Sequence, residues 1–422
     1  MSTQISAQKV IELEKKHGSF NYAPLPVVFS KGLGVHLWDL EGKKYLDFMS
    51  GYSAVSQGHC HPRIVKALQE QAATLTLVSR AVFSDQLAPL VEYATELFGF
   101  QRILMMNTGA EAFETACKLA RKWGYERKGV IAGQAKIIVC NDNFHGRTTG
   151  ALSASSNEAH HRAFAPVNPG FIRIPFDDLP ALVEALADPN VVAFCVEPIQ
   201  GESGINVPAS GYLKEAFELC RVKNVLFIAD EVQTGIARTG KLLACHHEGF
   251  RPDVLLLGKA LSGGTFPISA VLADDGVMAA IQLGDHGSTF GGSPLAARVA
   301  LESLKVVVEE KLAENAVRMG EVLRERIRDF HSPIITEVRG KGLLNAVVFD
   351  FGGDKNLGNE MCLALLRDGL VAKTTRPHII RFAPPLVIDE DELQQGLSIF
   401  AKVVKEFEAR VASLPSAALA AT

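Results

Sequence analysis

The 422-residue sequence lacks a strong net charge and a long apolar run. Its formal net charge is −4, and acidic and basic residues are interleaved along the chain. It therefore offers no basic surface of the kind that binds nucleic acid or an anionic membrane. No apolar run has the length needed to cross a bilayer. We expect neither nucleic acid nor a membrane among its partners.

Cysteine is sparse and irregularly spaced. The seven cysteines are odd in number, and no two of them have the CxxC spacing of a metal site. We therefore expect reduced thiols and no bound metal. The amino terminus, MSTQISAQKVIELEKKHGS, lacks the apolar core of a signal peptide, and its glutamates and few arginines do not suit a mitochondrial presequence. These features together predict a cytoplasmic protein.

Apolar residues make up 47% of the chain, enough for a large core and for two or three domains. Between residues 100 and 275, short apolar runs alternate with helical stretches. Because the runs are rich in Val, Ile and Leu without alternation, both sheet faces should be buried, as in doubly wound α/β folds. A ligand crevice is then expected at the carboxyl ends of the strands. The runs are RILMM (102–106), KIIVC (136–140), VVAFCV (191–196), VLFIA (225–229), DVLLLG (253–258) and ISAVLA (268–273).

The two chain ends have a different pattern, which predicts a smaller α+β domain built from both of them. A turn is expected at Glu41-Gly42, strands in GLLNAVVF (342–349) and HIIRFAPPLVI (378–388), and a helix from residue 389. A long helix from about residue 294 would join the parts, and SLPSAALAAT (413–422) would be a frayed tail. The predicted division is 1–50 in the small domain, 51–310 as the large cofactor-binding domain and 311–422 as the C-terminal small domain.

Two neighbouring apolar strands are followed by charged residues, which the packing of a buried sheet does not require. VLFIADEVQTG (225–235) ends its strand at Asp230, and DVLLLGKALSGG (253–264) places Lys259 just past the next strand. Taken alone, Asp230 could be a helix cap or a salt-bridged acid, and Lys259 a solvated lysine. Together they point to pyridoxal phosphate, because its protonated pyridine nitrogen needs a carboxylate and its aldehyde needs an amine.

A phosphate seat is predicted where Thr108-Gly109-Ala110 precede an amphipathic helix in NTGAEAFETACKLARKW (107–123). First-turn amides and the helix dipole attract an anion there. Alone, such a turn is more often a simple cap. A further strand end, KIIVCNDNFHGRT (136–148), places Phe144 and Arg147 at the same edge, although Phe144 alone could be a core aromatic.

Six strings together resemble the class III aminotransferases of fold type I: ADEVQTG, GKALSGG, NTGAEA, FHGRT, VEPIQGESG and GSTFGG. The resemblance runs from about residue 25 to 405. It implies an α/β fold with a mostly parallel seven-stranded sheet in the large domain, and pyridoxal 5′-phosphate as cofactor. More narrowly, SGYSAVSQGHCHP (50–62), LFIADEVQTGIARTG (226–240) and IIRFAPPLVI (379–388) are similar to the ornithine-specific branch of that family.

The resemblance assigns roles around the cofactor ring. It implies that Lys259 binds the cofactor covalently and then moves the substrate proton, and that Asp230 keeps the pyridine nitrogen protonated. Phe144 would stack on the ring and Gln233 would bind its phenolic oxygen. His145 would lie against the cofactor without a catalytic role.

The resemblance also assigns the phosphate contacts and an oligomeric state. Thr108, Gly109 and Ala110 would bind the phosphate of their own subunit's cofactor. Ser288 and Thr289, in the GST string, would reach the phosphate of the neighbouring subunit. The resemblance therefore implies a homodimer with shared active sites.

For substrate, the resemblance gives the α-amino group of ornithine to Tyr52 and its α-carboxylate to Arg147. Arg381 would bind the α-carboxylate of 2-oxoglutarate in the second half-reaction. Glu202 would mask Arg381 while ornithine is bound, so that the δ-amine reaches the cofactor. Taken alone, Arg381 could be a structural arginine and Glu202 an ordinary loop acid.

The leading interpretation is transfer of the δ-amino group of L-ornithine to 2-oxoglutarate. The product, glutamate 5-semialdehyde, would cyclise to 1-pyrroline-5-carboxylate. One departure weakens the substrate assignment: members of that branch often carry an aromatic hydroxyl after the SRA string, where this sequence has Val82 and Phe83.

Three alternatives stay open. An acetylornithine or 4-aminobutyrate aminotransferase would share the fold, although Tyr52 is placed to meet a free α-amino group. A mutase or racemase on this scaffold would not depend on added 2-oxoglutarate. A non-catalytic cofactor-binding protein would be expected to lose Lys259 or Asp230, and both are present. Fold alone does not decide among them.

Overall fold

A computed structural model describes residues 5–414, except for the side chain of His160. The part of the predicted tail beyond residue 414 lies outside the described residues. The α-helices are α1 Ala7–His17, α2 Ser50–Ser53, α3 Pro62–Ala72, α4 Leu87–Phe98, α5 Gly109–Trp123, α6 Thr149–Ala154, α7 Glu158–Ala163, α8 Leu179–Ala185, α9 Tyr212–Val222, α10 Asp275–Met278, α11 Pro294–Glu309, α12 Leu312–Arg328, α13 Leu357–Asp368 and α14 Glu390–Ala412.

Strands form three sheets, one large and two of four strands. A π-helical turn follows α5 at Gly124–Lys128, and 3₁₀ turns occur at Ala244–Glu248 and Lys259–Ser262. The strands are β1 Phe29–Leu33, β2 His36–Asp39, β3 Lys44–Asp47, β4 Arg102–Met106, β5 Lys136–Cys140, β6 Phe171–Ile174, β7 Val191–Val196, β8 Leu226–Asp230, β9 Val254–Leu257, β10 Ser269–Ala273, β11 Ile335–Lys341, β12 Leu344–Phe349, β13 Leu370–Val371, β14 Lys373–Arg376 and β15 Ile379–Phe382.

The large sheet has seven strands in the order β4-β10-β9-β8-β7-β5-β6. Strand β10 is antiparallel to both neighbours, and the other pairs are parallel. The mostly parallel seven-stranded sheet expected from the resemblance is thus confirmed. The apolar runs account for six of the strands. They missed edge strand β6, a four-residue segment interrupted by Arg173, whose guanidinium group donates to the carbonyl oxygens of Ser153 and Ser155.

Both faces of the large sheet are buried, as the non-alternating runs predicted. Ile137, Val139 and Ile228 face the packed side of α5, whereas Ile138 and Phe227 face α8 and α9. Strand β7 is buried over all six residues. This burial makes the strand pairing register rigid, and the register sets the positions of residues at the carboxyl edge.

The two four-stranded sheets come from the chain ends. One has the order β1-β2-β3-β13, and its parallel pair Leu46↔Leu370 joins the two ends of the chain. The predicted turn at Glu41-Gly42 separates β2 from β3, and Gly42 has a φ of +84°. The other sheet has the order β11-β12-β15-β14 and carries Arg381 on β15. The predicted C-terminal helix is α14, which begins with a capping box between Asp389 and Glu392.

Among residues 5–414, no helix has both the length and the apolar character needed to cross a membrane. All seven cysteines fall in this range and are free thiols. Six of them are buried, and Cys60 is exposed.

Candidate active site

Strand pairing brings Asp230 and Lys259 to the same edge of the large sheet. Asp230, the last residue of β8, pairs with Leu256 on β9, and Lys259 follows three residues later. Lys259 lies just after Gly258 and has a φ of +41°, in the left-handed region that costs energy for a side chain with a Cβ. Such strain at a turn is typical of a position held for function.

The buried carboxylate of Asp230 is matched by a buried imidazole. His145 Nδ1 lies 2.6 Å from Asp230 Oδ2, and the amide of Val232 donates to Oδ1 at 3.1 Å. Burial alone would lower the pKa of His145, but the hydrogen bond and charge of Asp230 raise it above its ordinary value. The His145 ring stacks on Phe113 at 4.5 Å between ring centres. Asp230 is therefore held as an oriented carboxylate at the strand end.

The Lys259 amine is set up as a nucleophile. Burial lowers its pKa, the carboxylate of Glu202 opposes that shift, and the guanidinium of Arg381 adds to it. A lowered pKa leaves more of the amine unprotonated at neutral pH, which suits attack on an aldehyde and later proton transfer.

Another buried carboxylate, Glu197, was not among the site residues predicted from the sequence. Its Oε1 accepts from the amide of Phe144 at 2.8 Å and its Oε2 from that of Gly201 at 3.4 Å. Burial raises the pKa of Glu197 to about 7, although the nearby His145 acts to lower it. The sequence did contain a signal, because Glu197 directly follows an apolar run, as Asp230 does. Glu197 fixes the loop that carries Phe144.

The predicted phosphate seat is the amino end of α5. Thr108 caps the helix in a capping box: Glu111 N donates to Thr108 Oγ1 at 3.2 Å, and Thr108 N donates to Glu111 Oε2 at 2.8 Å. The amides of Gly109 and Ala110 lie in the first turn, where a helix supplies no acceptor of its own. These two amides are available to an anion.

An ion pair lies between the large sheet and β15. Arg381 Nη1 is 2.6 Å from Glu202 Oε1, and the Arg381 side chain is almost fully buried. Gln233 Nε2 donates to the same Glu202 oxygen at 2.9 Å. The Arg381 guanidinium carbon lies 4.5 Å from the centre of the Tyr52 ring, and Tyr52 has a φ of +59°. The structure thus brings Glu202, Arg381, Gln233 and Tyr52 together.

Phe144 and Arg147 line the wall of the crevice. Phe144 is 37% exposed, and the Arg147 guanidinium carbon lies 5.3 Å from its ring centre. Both residues line a cavity of about 310 Å³ that also includes Glu202. The Phe144 ring is therefore not a core aromatic.

A buried arginine that the sequence did not reveal supports the ion-pair region. Arg238 is fully buried and donates to the carbonyl oxygens of Leu343 and Pro384 and to Ser56 Oγ at 2.6–2.9 Å. Burial lowers the pKa of Arg238 to about 9. Its hydrogen bonds connect three distant chain segments near Arg381. Most acceptors of the Arg238 hydrogen bonds are backbone carbonyls, and because every residue type has a carbonyl, the sequence contains no pattern that predicts these bonds.

Ser288 and Thr289 lie on a loop beside the phosphate seat. Asn107 Nδ2 donates to Ser288 Oγ at 2.6 Å, and Thr289 is exposed. Phe290, the next residue, is 59% exposed. The loop therefore presents a hydroxyl and an aromatic ring outward.

The donor set of this site fits pyridoxal 5′-phosphate. An amine, a buried carboxylate and first-turn helix amides lie at one sheet edge, which are the groups that an aldehyde, a pyridinium and a phosphate need. Lys259, Asp230, Gly109 and Ala110 would hold the cofactor. Phe144 would cover its ring.

Comparison with known proteins agrees with this geometry. Residues 18–404 match the family model described as aminotransferase class-III. A protein of Drosophila ananassae called ornithine aminotransferase, mitochondrial, is 56% identical over 398 residues, covering 94% of this chain and 91% of that protein.

Solved structures give the same fold. The ornithine aminotransferase from Toxoplasma gondii ME49 superposes with a TM-score of 0.94 at 48% identity, covering 97% of each chain. The acetylornithine aminotransferase from Elizabethkingia anophelis has a TM-score of 0.88 at 52% identity, covering 95% of this chain and 100% of that one. The chain therefore belongs to the class-III aminotransferase family, whose members use pyridoxal 5′-phosphate.

Proposed function

We propose that this protein transfers the δ-amino group of L-ornithine to 2-oxoglutarate, giving glutamate 5-semialdehyde and glutamate. The observation that carries the proposal is the 2.6 Å ion pair between Arg381 and Glu202 beside Tyr52. It neutralises one arginine of the crevice while Arg147 lies on another wall. Such a site can distinguish the two ends of a diamino acid.

The reaction residues are Lys259 and Asp230. Bound pyridoxal phosphate supplies an aldehyde carbon for the amine and a ring that withdraws electrons from it. The Lys259 amine, with its lowered pKa, accepts the proton from the substrate carbon and returns it on the product side. Asp230 holds the pyridine nitrogen in its protonated form, and His145 orients Asp230.

Substrate selection depends on the two arginines Arg147 and Arg381. We assign the α-carboxylate of ornithine to Arg147 and its α-amino group to Tyr52, so that the δ-amine points to Lys259. A dicarboxylate needs both arginines, so Glu202 must leave Arg381 when 2-oxoglutarate binds. Gln233 already donates to Glu202 at 2.9 Å and can hold that carboxylate after it has left Arg381.

We further propose a homodimer in which Ser288 and Thr289 bind the phosphate at the partner's site. The exposed Phe290 and the 96% exposed Phe83 support a covered interface. The domain division at residues 50 and 310 is part of the same proposal. The cytoplasmic location stays a prediction, since the Drosophila ananassae relative is named as mitochondrial.

The test is a product assay with several amine donors. Purified protein with pyridoxal phosphate, L-ornithine and 2-oxoglutarate should yield 1-pyrroline-5-carboxylate, detected with o-aminobenzaldehyde, and a Lys259→Ala variant should not. N-acetylornithine and 4-aminobutyrate are run in parallel. Repeated turnover of ornithine without 2-oxoglutarate, with no 1-pyrroline-5-carboxylate released, would instead indicate a mutase or racemase.

An N-acetylornithine aminotransferase is the second candidate. It is favoured by Val82 and Phe83, which lack a hydroxyl, and by the 52% identity to the Elizabethkingia anophelis protein. Glutamate formed with N-acetylornithine but not with ornithine would replace the first proposal with this one.

A further inference from the structure

Helix α5 holds the loop of residues 284–290 through a histidine. His286 Nε2 lies 2.7 Å from Thr115 Oγ1, and His286 Nδ1 lies 2.9 Å from Lys118 Nζ. Lys118 can only donate, so Nδ1 must accept and Nε2 must carry the hydrogen. Thr115 in turn donates its hydroxyl hydrogen to the carbonyl oxygen of Glu111 at 2.7 Å. The geometry therefore requires a neutral imidazole in one tautomer.

Further contacts extend this docking along the helix. Lys118 Nζ donates to the carbonyl oxygen of Asp285 at 3.0 Å, and Lys122 forms an ion pair with the Asp285 carboxylate. Glu111, Thr115, Lys118 and Lys122 are spaced by four, three and four residues, so they share one helix face. One stripe of α5 therefore faces the loop over most of the helix length.

The docked loop ends beside the helix's own phosphate seat. Ser288 Oγ accepts from Asn107, the residue before Thr108, while Thr289 is exposed. Gly284, with a φ of +88°, begins the segment, and Gly292, with a φ of +73°, lies two residues after its end. Glycine accepts these left-handed conformations without strain, and the side-chain contacts between the two glycines hold Ser288 and Thr289 beside the helix.

We propose that His286 is a positioning residue that docks the 284–290 loop on α5 and thereby sets Ser288 and Thr289 for the cofactor phosphate at the partner's site. This inference rests on the proposed dimer with shared sites. Nothing in the mechanism above uses His286, and it does not touch the reacting atoms. Its effect is on cofactor retention.

Acid should release the loop. A protonated His286 has no acceptor for Lys118 and places two cations about 2.9 Å apart. The charged groups that face it are Lys118, Lys122 and Glu111 on the helix and Asp285 on the loop. Burial and Lys118 lower the pKa of His286 from its ordinary value of 6.5, and Glu111 opposes them. Docking is therefore complete above pH 6.5 and weakens as the pH falls below it.

The experiment compares two substitutions of one residue. In His286→Gln, the amide can accept from Lys118 and donate to Thr115 but cannot titrate, whereas His286→Ala removes both contacts. Pyridoxal phosphate affinity of the dimeric protein is measured by fluorescence titration at pH 8.0 and pH 6.0, in buffer without phosphate. His17→Ala, at an exposed histidine of α1, is the control.

His286→Ala should bind the cofactor about tenfold more weakly at pH 8.0, the effect of losing one or two hydrogen bonds. His286→Gln should bind pyridoxal phosphate as tightly as wild type at pH 8.0. When the pH is lowered to 6.0, its affinity should fall less than that of wild type. Thr115→Val, nearly isosteric, should weaken binding less than His286→Ala does. Amide exchange of the 284–290 loop should quicken in the Ala variant and not in the Gln variant.

Two results separate failure of this inference from failure of the proposed function. Wild-type affinity in a dimeric His286→Ala variant, or an equal acid loss in His286→Gln and wild type, would overturn the role of His286 alone. A monomeric holoenzyme would overturn the shared-site dimer itself. Neither readout involves an amine donor, so the substrate assignment is tested separately.

Discussion

Two regions of the site are built in different ways. One is the cofactor edge of the large sheet, with Asp230 and Lys259, and the other is the substrate-selecting pair of Glu202 and Arg381 beside β15. Asp230 and Lys259 project from neighbouring buried strands whose register fixes their spacing. Glu202 and Arg381 lie 179 residues apart in the chain and meet only through side chains. The first region is rigid because the core beneath it is close-packed. The second depends on one ion pair whose partner can change, which suits a site that takes two substrates in turn.

The largest effect is expected from Lys259→Ala at the cofactor edge, because this substitution removes the nucleophile and the proton carrier together. We expect the rate of amine transfer to fall by at least about 10⁴-fold. Borohydride reduction followed by mass spectrometry should find the cofactor covalently attached to wild type and not to the variant. Attachment at another lysine would show that Lys259 has been assigned wrongly.

Asp230→Asn should have the next largest effect. It keeps the shape of the side chain but removes the charge that holds the pyridine nitrogen protonated. We expect kcat to fall about 10²–10³-fold, the range for loss of one preorganised electrostatic contact. Asp253→Asn is a matched control, because Asp253 accepts from the amide of Phe227 at the opposite end of the same strands. Equal loss in both variants would mean that Asp230 only supports the fold.

Glu202→Gln tests the substrate-selecting pair of Glu202 and Arg381. The variant unmasks Arg381, so glutamate and the α-amine end of ornithine should compete better for the site. We expect the preference for ornithine over glutamate, measured as a ratio of kcat/KM values, to fall about tenfold. Glu337→Gln, in the exposed ion pair with Arg339, should leave the ratio unchanged. An unchanged ratio in Glu202→Gln would remove the masking role.

The last expected effect is on stability rather than on activity, and it concerns Glu197 under the cofactor edge. Its folded-state pKa of about 7 lies above the ordinary 4.5, so its contribution to stability is complete below pH 4.5 and is lost as the pH rises through 7. The free energy of unfolding should fall across that window by at most about 1.4 kcal/mol per pH unit from this group. Glu197→Gln should flatten that part of the profile in urea unfolding of the cofactor-free protein. The same slope in both proteins would contradict this assignment.

Much of the cofactor edge could be predicted from the sequence, because its signals are local. Apolar runs located six strands of the large sheet, and an acid and a lysine at two strand ends indicated the chemistry. The direction of β10 could not be predicted, since an apolar run has no polarity of its own. Glu197 gave the same strand-end signal as Asp230 and was missed.

The rest of the site has no local signature. Arg238 is held mainly by backbone carbonyls of distant segments, and any residue type can supply a carbonyl. The docking of His286 on Thr115 joins residues 171 positions apart. The ion pair of Glu202 and Arg381 was predicted from the family resemblance alone. Long-range side-chain contacts of this kind need the folded chain.

The most direct test follows the nitrogen atom itself. L-ornithine labelled with ¹⁵N at the δ position, and separately at the α position, is incubated with 2-oxoglutarate and the holoenzyme, and the glutamate formed is analysed by mass spectrometry. If Glu202 masks Arg381 and Arg147 holds the α-carboxylate, glutamate acquires ¹⁵N from the δ-labelled substrate only. Label passing from the α position at a comparable rate would contradict the proposed substrate orientation.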